Sequence, residues 1–422
     1  MYIRSQESRL KPPIAIRVKQ SPSFNFYNLC SNHNPILKMS FWTFAPKPKT
    51  PLGYHRILAP TAGVKVSPLC LGGMNFGEGW EHFMGKCKKE EAFALMDAFY
   101  DFGGNFIDTA NNYQEGDSER WIGEWMESRR NRDQMVIATK YTTGFRDPHI
   151  DTERIQSNFV GNSAKSLRIS VDYSLKHLRT DYIDLLYVHW WDFTTGVEEV
   201  MHGLNALVTA GKVLYLGVSD TPAWVVVKAN DYARANGLRP FSVYQGLWNP
   251  LRRDMESEIV PMCRDQGMGI APWGPLAQGK LKTTDARDLA GGGRSDQSMT
   301  DDEIRVSDAL DEVARRKNTT LPAVALAYLL HKTPYVFPII GQRKIEHLEA
   351  NVEALSIELL KEDMDKIDTA VPFDPMFPMN FIFQGKYDLT LTPADIPLTR
   401  KAGHIDAPPQ QGIIPAKARD EK

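Results

Sequence analysis

The sequence predicts an α/β fold: a closed (β/α)8 TIM barrel with an N-terminal β-hairpin and a C-terminal capping tail. Three observations lead there. Eight short, nearly continuous apolar runs recur along the chain, and amphipathic stretches whose apolar positions return every three or four residues lie between them. Strands apolar on both faces need helices over both faces, which calls for a parallel sheet. No G-x-G-x-x-G occurs, so an open, doubly wound sheet lacks its usual phosphate loop.

Residues 1–50 read as an extension expected to be disordered. Residues 1–38 hold six Lys or Arg, one acid (Glu7), four prolines and five serines, with no sustained apolar period. Pro12 and Pro13 interrupt any amphipathic helix. A mitochondrial transit segment, a disordered extension and a stretch upstream of a start at Met39 all stay open, with the cytoplasm as the expected compartment.

Residues 51–372 are assigned to the barrel. It opens with R-I-L-A-P, Thr61-Ala62-Gly63 and V-K-V-S-P, which predict a hairpin with a Gly-containing turn. The eight strand runs then begin at Leu69, Asn105, Met135, Ile183, Val213, Phe241, Met268 and Val336. Helical spacing is clearest over residues 88–100, 118–127, 197–208 and 344–355. The stretch from Pro275 to Thr300, with Gly291-Gly292-Gly293, has too few apolar residues for an element and reads as a long loop after the seventh strand. Residues 373–422 are the tail. Its Phe373, Met376, Phe377, Met379, Phe381, Ile382 and Phe383 must cover something, and the active site is the expected place.

Composition removes several function classes. Of 422 residues, 42% are apolar and 24% charged, which excludes disorder throughout. Fifty Lys and Arg against 52 Asp and Glu give a net charge of −2, so no basic field exists to hold a nucleic acid or an anionic membrane. Cys30, Cys70, Cys87 and Cys263 are scattered without zinc or disulfide-scaffold spacing, and no metal is expected. Cys30 and His33 are metal-like in spacing but lack further ligands. No apolar run reaches the ~18 residues of a membrane span.

In (β/α)8 enzymes the reactive groups sit where strands end. The second, third and fourth strands offer Asp108, Lys140 and His189 there, and neighbouring strands lie ~4.8 Å apart, so the three share one pocket. Tyr113, five residues after Asp108, is near enough to fold over the same mouth. Such a group suits acid-base work on a carbonyl. Lys140 is expected to lower the phenol's pKa, Asp108 to hold the lysine charged, and His189 to hydrogen-bond the substrate oxygen.

These motifs, G-G-N-F-I-D-T-A-N-N-Y, M-V-I-A-T-K-Y, D-Y-I-D-L-L-Y-V-H-W-W-D, G-K-V-L-Y-L-G-V-S-D, S-V-Y-Q, A-P-W-G-P-L-A-Q-G and P-I-I-G-Q-R-K-I-E-H-L, resemble the aldo-keto reductases over roughly residues 50 to 383. Within that family the likeness is to the fungal aryl-alcohol dehydrogenase and norsolorinic acid reductase branch. The resemblance implies the catalytic tetrad Asp108, Tyr113, Lys140 and His189, with NADP(H) extended across the barrel mouth.

Carried over by position, the cofactor contacts implied are Gly73, Met74 and Asp108 on one side, and Ser219, Asp220 and Gln245 at the nicotinamide amide. Asp220 stands in place of the commonest asparagine, and an ionised Asp can only accept. Trp273 takes the place of a stacking tyrosine. Gly274, Pro275, Leu276, Gln278, Gly279 and Lys280 form the loop over the pyrophosphate. Gly341, Gln342, Arg343 and Lys344 meet the phosphate of the adenosine end, Arg343 gripping the 2′-phosphate. Asn351 meets adenine, although Ala350 replaces the acidic or amide residue usual before it.

The expected function is therefore an NADP-dependent oxidoreductase interconverting aromatic or polyketide-derived carbonyls and alcohols, of the kind met in fungal secondary metabolism. Its partner is a small aromatic molecule, and Trp80, Trp190, Trp191 and Trp248 are candidates to line the pocket. The alternative is a nucleotide-binding regulatory subunit resembling channel β-subunits. Tyr328 and Lys332 have the Y-x-x-x-K spacing of another dehydrogenase class, but read as a packed tyrosine and a surface lysine.

Overall fold

The computed structural model describes residues 44–287 and 299–418. The chain divides at Pro48, and residues 44–47 carry no helix or strand. The expectations for residues 1–38, for Cys30 and His33, and for Gly291-Gly292-Gly293 lie outside the described residues.

The hairpin forms from β1 (Arg56–Ala59) and β2 (Ala62–Val66), antiparallel, with Ala59 opposite Ala62. Its turn is Pro60-Thr61 rather than a glycine turn, and Gly63 lies inside β2. Proline presets the backbone at the first corner, so no glycine is needed there.

Eight parallel strands follow: β3 (Cys70–Gly72), β4 (Phe106–Asp108), β5 (Val136–Tyr141), β6 (Ile183–Val188), β7 (Val213–Ser219), β8 (Val243–Leu247), β9 (Gly269–Trp273) and β10 (Ile339–Ile340). They run β10-β3-β4-β5-β6-β7-β8-β9. The ring closes just ahead of β10. Val336 pairs with Ile270, and the Phe337 N–H donates to Ile270 O at 2.8 Å. Pro338 has no N–H, so the eighth run is divided between its two neighbours, with Val336 and Phe337 beside β9 and Ile339-Ile340 beside β3.

Alternation along each strand sorts the core into two. Phe106, Val136, Ala138, Leu185, Tyr187, Val243, Ala271 and Phe337 fill the barrel together with Leu58, Ala59, Ala62 and Val66 of the hairpin, which thus plugs the end where the strands begin. Leu71, Ile107, Ile137, Leu186, Val218 and Ile270 face outward into the helical layer. Gly217 serves the interior: a Cβ there would stand 2.5 Å from the Tyr187 ring.

The helical layer comprises α1 (Lys89–Asp101), α2 (Asp117–Arg129), α3 (Ala164–His177), α4 (Val197–Thr209), α5 (Ala223–Ala235), α6 (Ile259–Gln266), α7 (Asp301–Arg316), α8 (Leu321–Lys332), α9 (Ile345–Glu353) and α10 (Lys361–Ala370). Caps fix several starts. Ser163 Oγ accepts the Ser166 N–H before α3, and Thr300 and Glu303 satisfy each other's N–H groups before α7.

Lys332 corrects the surface reading given to it. It is buried, holding both Asp368 oxygens at 2.8 and 2.9 Å, with Glu256 at 3.3 Å, and Tyr328 donates to the same Asp368. A buried ammonium needs such partners, and Arg253 completes the cluster. The C-terminal tail packs beside it. Arg253 lies over the Phe373 ring, Tyr387 donates to Glu256 O at 2.9 Å, and Arg264 donates to Leu389 O. Met376, Phe377 and Phe381 stay exposed.

Candidate active site

Alternation along three adjacent strands decides which polar side chains enter the barrel. Asp108 shares the inward face with Phe106, Lys140 with Val136 and Ala138, and His189 continues the face of Leu185 and Tyr187. Each follows an apolar run at the end where the chain leaves its strand. Tyr113 arrives from the next turn. Gln114, Glu115 and Gly116 all hold positive φ, which reverses the chain before α2; at Gly116 a Cβ would meet the Tyr173 hydroxyl at 2.3 Å.

Lys140 Nζ is the hub. It donates to Asp108 Oδ1 at 2.5 Å, to Thr109 O at 2.7 Å and to Tyr113 Oη at 3.3 Å, with no side-chain exposure. Gln245 Nε2 donates to the other Asp108 oxygen at 2.8 Å. The His189 ring meets Tyr113 edge-on, centroids 5.9 Å apart, and Trp80 meets the same phenol at 6.1 Å.

Burial would pull the Lys140 ammonium down, but the Asp108 carboxylate and the Tyr113 oxygen outweigh it and leave the lysine above its ordinary value. Tyr113 departs from expectation. Burial raises its phenol more than Lys140 lowers it, so the net direction is upward and the hydroxyl holds its proton at neutrality. Burial, with the Lys140 charge second, pushes His189 down to about 3, so its imidazole is neutral. The group therefore offers a protonated phenol beside a fixed ammonium and a neutral imidazole, which suits proton delivery to an oxygen.

The expected nicotinamide-end residues gather around this hub. Ser219 pairs in register with Gln245, and its buried hydroxyl stands against the Asp220 carboxyl. Asp220, at φ +41, accepts the Trp273 Nε1–H at 3.1 Å. The Gly73 N–H donates to Asp108 O at 2.7 Å, and Met74 O accepts from Gln114 Nε2 at 3.0 Å.

The loop after β9 carries Gly274, Pro275 and Leu276 into a tight turn at Ala277–Gly279, where Gln278 and Gly279 have positive φ. Gly274 O accepts from Asn249, and Lys280 Nζ is paired with Glu303 at 2.8 Å. Gly341, Gln342, Arg343 and Lys344 join β10 to α9 as a separate group. Arg343 donates to Met84 O, and Asn351 Nδ2 donates to Gln342 Oε1 at 3.3 Å, leaving the buried Gln342 Nε2 unpartnered among the described residues. A cavity of about 550 Å³ lies there between Arg343, Lys344 and His347 on one side and Glu91 and Ala94 on the other.

The tryptophans divide. Trp80 and Trp190 are half-buried at the mouth, whereas Trp248 is wholly buried, donating to Glu256, and Trp191 packs in the outer core. Some contributors escaped the sequence reading. Tyr187 lies beneath the hub, its ring 5.9 Å from Lys140 Nζ, and its spacing of two from His189 carried that signal. Thr143, which bonds the His189 ring, sits past the end of β5 where no periodicity marks it.

Among the described residues no group of three or more His, Cys, Asp or Glu is placed to hold a metal ion, and no helix is long and apolar enough to cross a membrane. A model of the aldo/keto reductase family matches residues 68–372. The chain is 55% identical over 375 residues to norsolorinic acid reductase A of Aspergillus parasiticus, covering 88% of this chain and 96% of that protein. It is 51% identical to an aryl-alcohol dehydrogenase of Pestalotiopsis microspora (89% and 97% covered) and 50% identical to aryl-alcohol dehydrogenase [NADP(+)] of Phanerodontia chrysosporium (90% and 100% covered).

Proposed function

The chain belongs to the aldo/keto reductase family, and from that membership we propose that it is an NADPH-dependent oxidoreductase acting on aromatic or polyketide-derived aldehydes and ketones, and reversibly on the matching alcohols. One observation carries the reading: a buried lysine bonded at once to a carboxylate and to a phenol that also meets a neutral imidazole. Burying an ammonium is costly. Here it places charge beside a phenol oxygen.

When bound, the reduced cofactor supplies the hydride. The chain's residues support its fit at both ends. Among the described residues Gln342 Nε2 is a buried polar atom without a partner, as an atom waiting for a polar ligand would be, and the buried Ser219 hydroxyl stands beside Gln245 at the other end. Gln245 has given its N–H to Asp108, which leaves its carbonyl oxygen for an amide N–H. Arg343 and Lys344, at the start of α9, would bring positive charge and helix N–H groups to a 2′-phosphate.

Tyr113 gives its proton from Oη to the carbonyl oxygen of the substrate. The Lys140 ammonium stabilises the phenolate this leaves, and Asp108, held in turn by Gln245, keeps the ammonium in place. Neutral His189 donates a hydrogen bond to the same substrate oxygen. Trp80 and Trp190 present aromatic surface at the mouth, suited to flat rings. The dehydrogenase and reductase names of the relatives support this chemistry, and no feature of the site favours the regulatory-subunit alternative.

The test is NADPH consumption by the purified chain with a panel of aryl aldehydes and aryl ketones, repeated with NADH. Turnover of at least one aryl carbonyl, with NADPH preferred, is expected. Tight NADPH binding without turnover of any member would replace the enzyme by a nucleotide-binding module.

A further inference from the structure

The loop that follows β5 carries a strained residue. Thr142 sits at φ +114, a conformation that a β-branched side chain rarely adopts. Its surroundings over-determine it. Thr142 O accepts the Gly161 N–H at 2.8 Å, and Thr142 Oγ1 accepts from Asn162 Nδ2 at 2.9 Å and from the His189 N–H at 3.3 Å. Asn162 in turn donates to Trp190 O at 3.1 Å and exchanges two further bonds with Asp192. The loops after β5 and β6 are thereby clamped together around the imidazole.

The clamp has a consequence for the next residue. Thr143 Oγ1 lies 3.1 Å from His189 Nδ1 and 3.0 Å from Trp190 Nε1. An indole N–H can only donate, so it occupies an acceptor site on the hydroxyl. The hydroxyl proton is then free to be given, and Nδ1 of a neutral imidazole can take it. In that arrangement all three groups are satisfied within the protein. The reverse, with Nδ1–H donating, makes Thr143 a double acceptor and leaves its own O–H without a partner among the described residues.

We infer that Thr143 is a positioning residue that, fed by the Trp190 indole, fixes His189 as the tautomer with its proton on Nε2. This rests on the proposed function, in which His189 donates a hydrogen bond to the substrate oxygen. It adds why that nitrogen carries a proton: Nδ1 is occupied by Thr143, and Nε2–H is the ring's remaining polar group. A second-layer hydrogen bond setting which imidazole nitrogen is protonated is the general way such a ring is made specific. The strain at Thr142 fits here, because it turns the chain so that Thr143 reaches the ring.

The deciding experiment is 15N NMR of the NADPH-bound protein labelled at histidine only, with the His189 signals assigned by their loss in His189→Asn. Wild type is expected to show an unprotonated Nδ1 and a protonated Nε2 at neutral pH. Trp190→Phe frees the Thr143 acceptor site, so His189 should become a mixture of tautomers or move to Nδ1–H. Thr143→Val should lower kcat roughly 10- to 100-fold, less than the roughly 10²–10³ of removing a transition-state donor outright because the imidazole itself is kept, with KM and NADPH affinity shifted less than about threefold, and Thr143→Ser should restore it. A wild-type His189 protonated on Nδ1, or a Trp190→Phe protein whose His189 tautomer is unchanged, overturns the inference. Full turnover by His189→Asn would instead remove the role given to His189 in the proposed function, while leaving the measured tautomer as it stands.

Discussion

Gln245 donates its side-chain amide to Asp108 Oδ2 at 2.8 Å across 137 residues of sequence, so both oxygens of that buried carboxylate are taken, the other by Lys140. The bond ties the end of the site expected to hold the cofactor to the end proposed to move the proton. Replacing Gln245 with Met leaves one carboxylate oxygen buried and unpaired, at a cost of about 1.5–3 kcal/mol for a hydrogen bond to a charged group. Urea denaturation should show that loss, and turnover should fall roughly tenfold as Lys140 loses its fixed partner. A Met variant as stable and active as wild type would mean the bond does no work.

The raised phenol of Tyr113 fixes the pH behaviour of the two directions. Reduction uses the protonated hydroxyl, which is already present at neutrality, so its rate should hold steady and decline only at strongly alkaline pH. Oxidation uses the phenolate, so its rate should climb as pH rises. Lys140→Met removes the positive charge bonded to the phenol and should push it higher still. Because His189 titrates near 3, neither direction should show a step around the ordinary histidine value. Initial rates across pH, for wild type and Lys140→Met, check all four statements.

Glu119 gives a separate handle on stability. It is buried behind β5 with Thr139 donating to Oε1 at 2.6 Å, and burial pushes its carboxyl from 4.5 up to about 7. The folded chain thus binds the proton more tightly than the unfolded one. Stability is fully present below the unfolded value near 4.5 and is lost as pH rises towards 7, by roughly 3 kcal/mol at most. Glu119→Gln cannot titrate there. Its Tm should change less between about pH 5 and pH 8 than that of wild type.

What the sequence carried, and what it did not, follows from the range of the forces involved. The strands and the meeting of Asp108, Tyr113, Lys140 and His189 were legible because alternation and polar run-ends are local patterns: Phe106 predicts the face of Asp108, and Ala138 that of Lys140. The Asp108 to Gln245 bond, the clamp of Thr142 on Asn162 and the burial of Lys332 against Asp368 depend on side chains meeting across distant segments. The upward direction of the Tyr113 shift is not legible in the sequence for the same reason. Its neighbour Lys140 could be inferred from strand order, but the depth of burial that outweighs it could not.

Arg343 donates to Met84 O in this structure, at the edge of the cavity beside α9. If it also grips the 2′-phosphate, Arg343→Ala should weaken NADPH roughly 10- to 100-fold, the worth of charge-assisted bonds, and leave NADH within about threefold. Fluorescence titration with both nucleotides measures the ratio directly. Equal losses for both would assign Arg343 to holding the 81–85 segment instead.

Whether Tyr113 delivers the proton is decided by the Tyr113→Phe variant. Single-turnover reduction of an aryl aldehyde should slow by about 10²–10⁴, the range of a positioned general acid, while the NADPH dissociation constant stays within about threefold of wild type. Reduction at the wild-type rate by a Phe variant that binds NADPH normally would take the proton-donor role away from Tyr113.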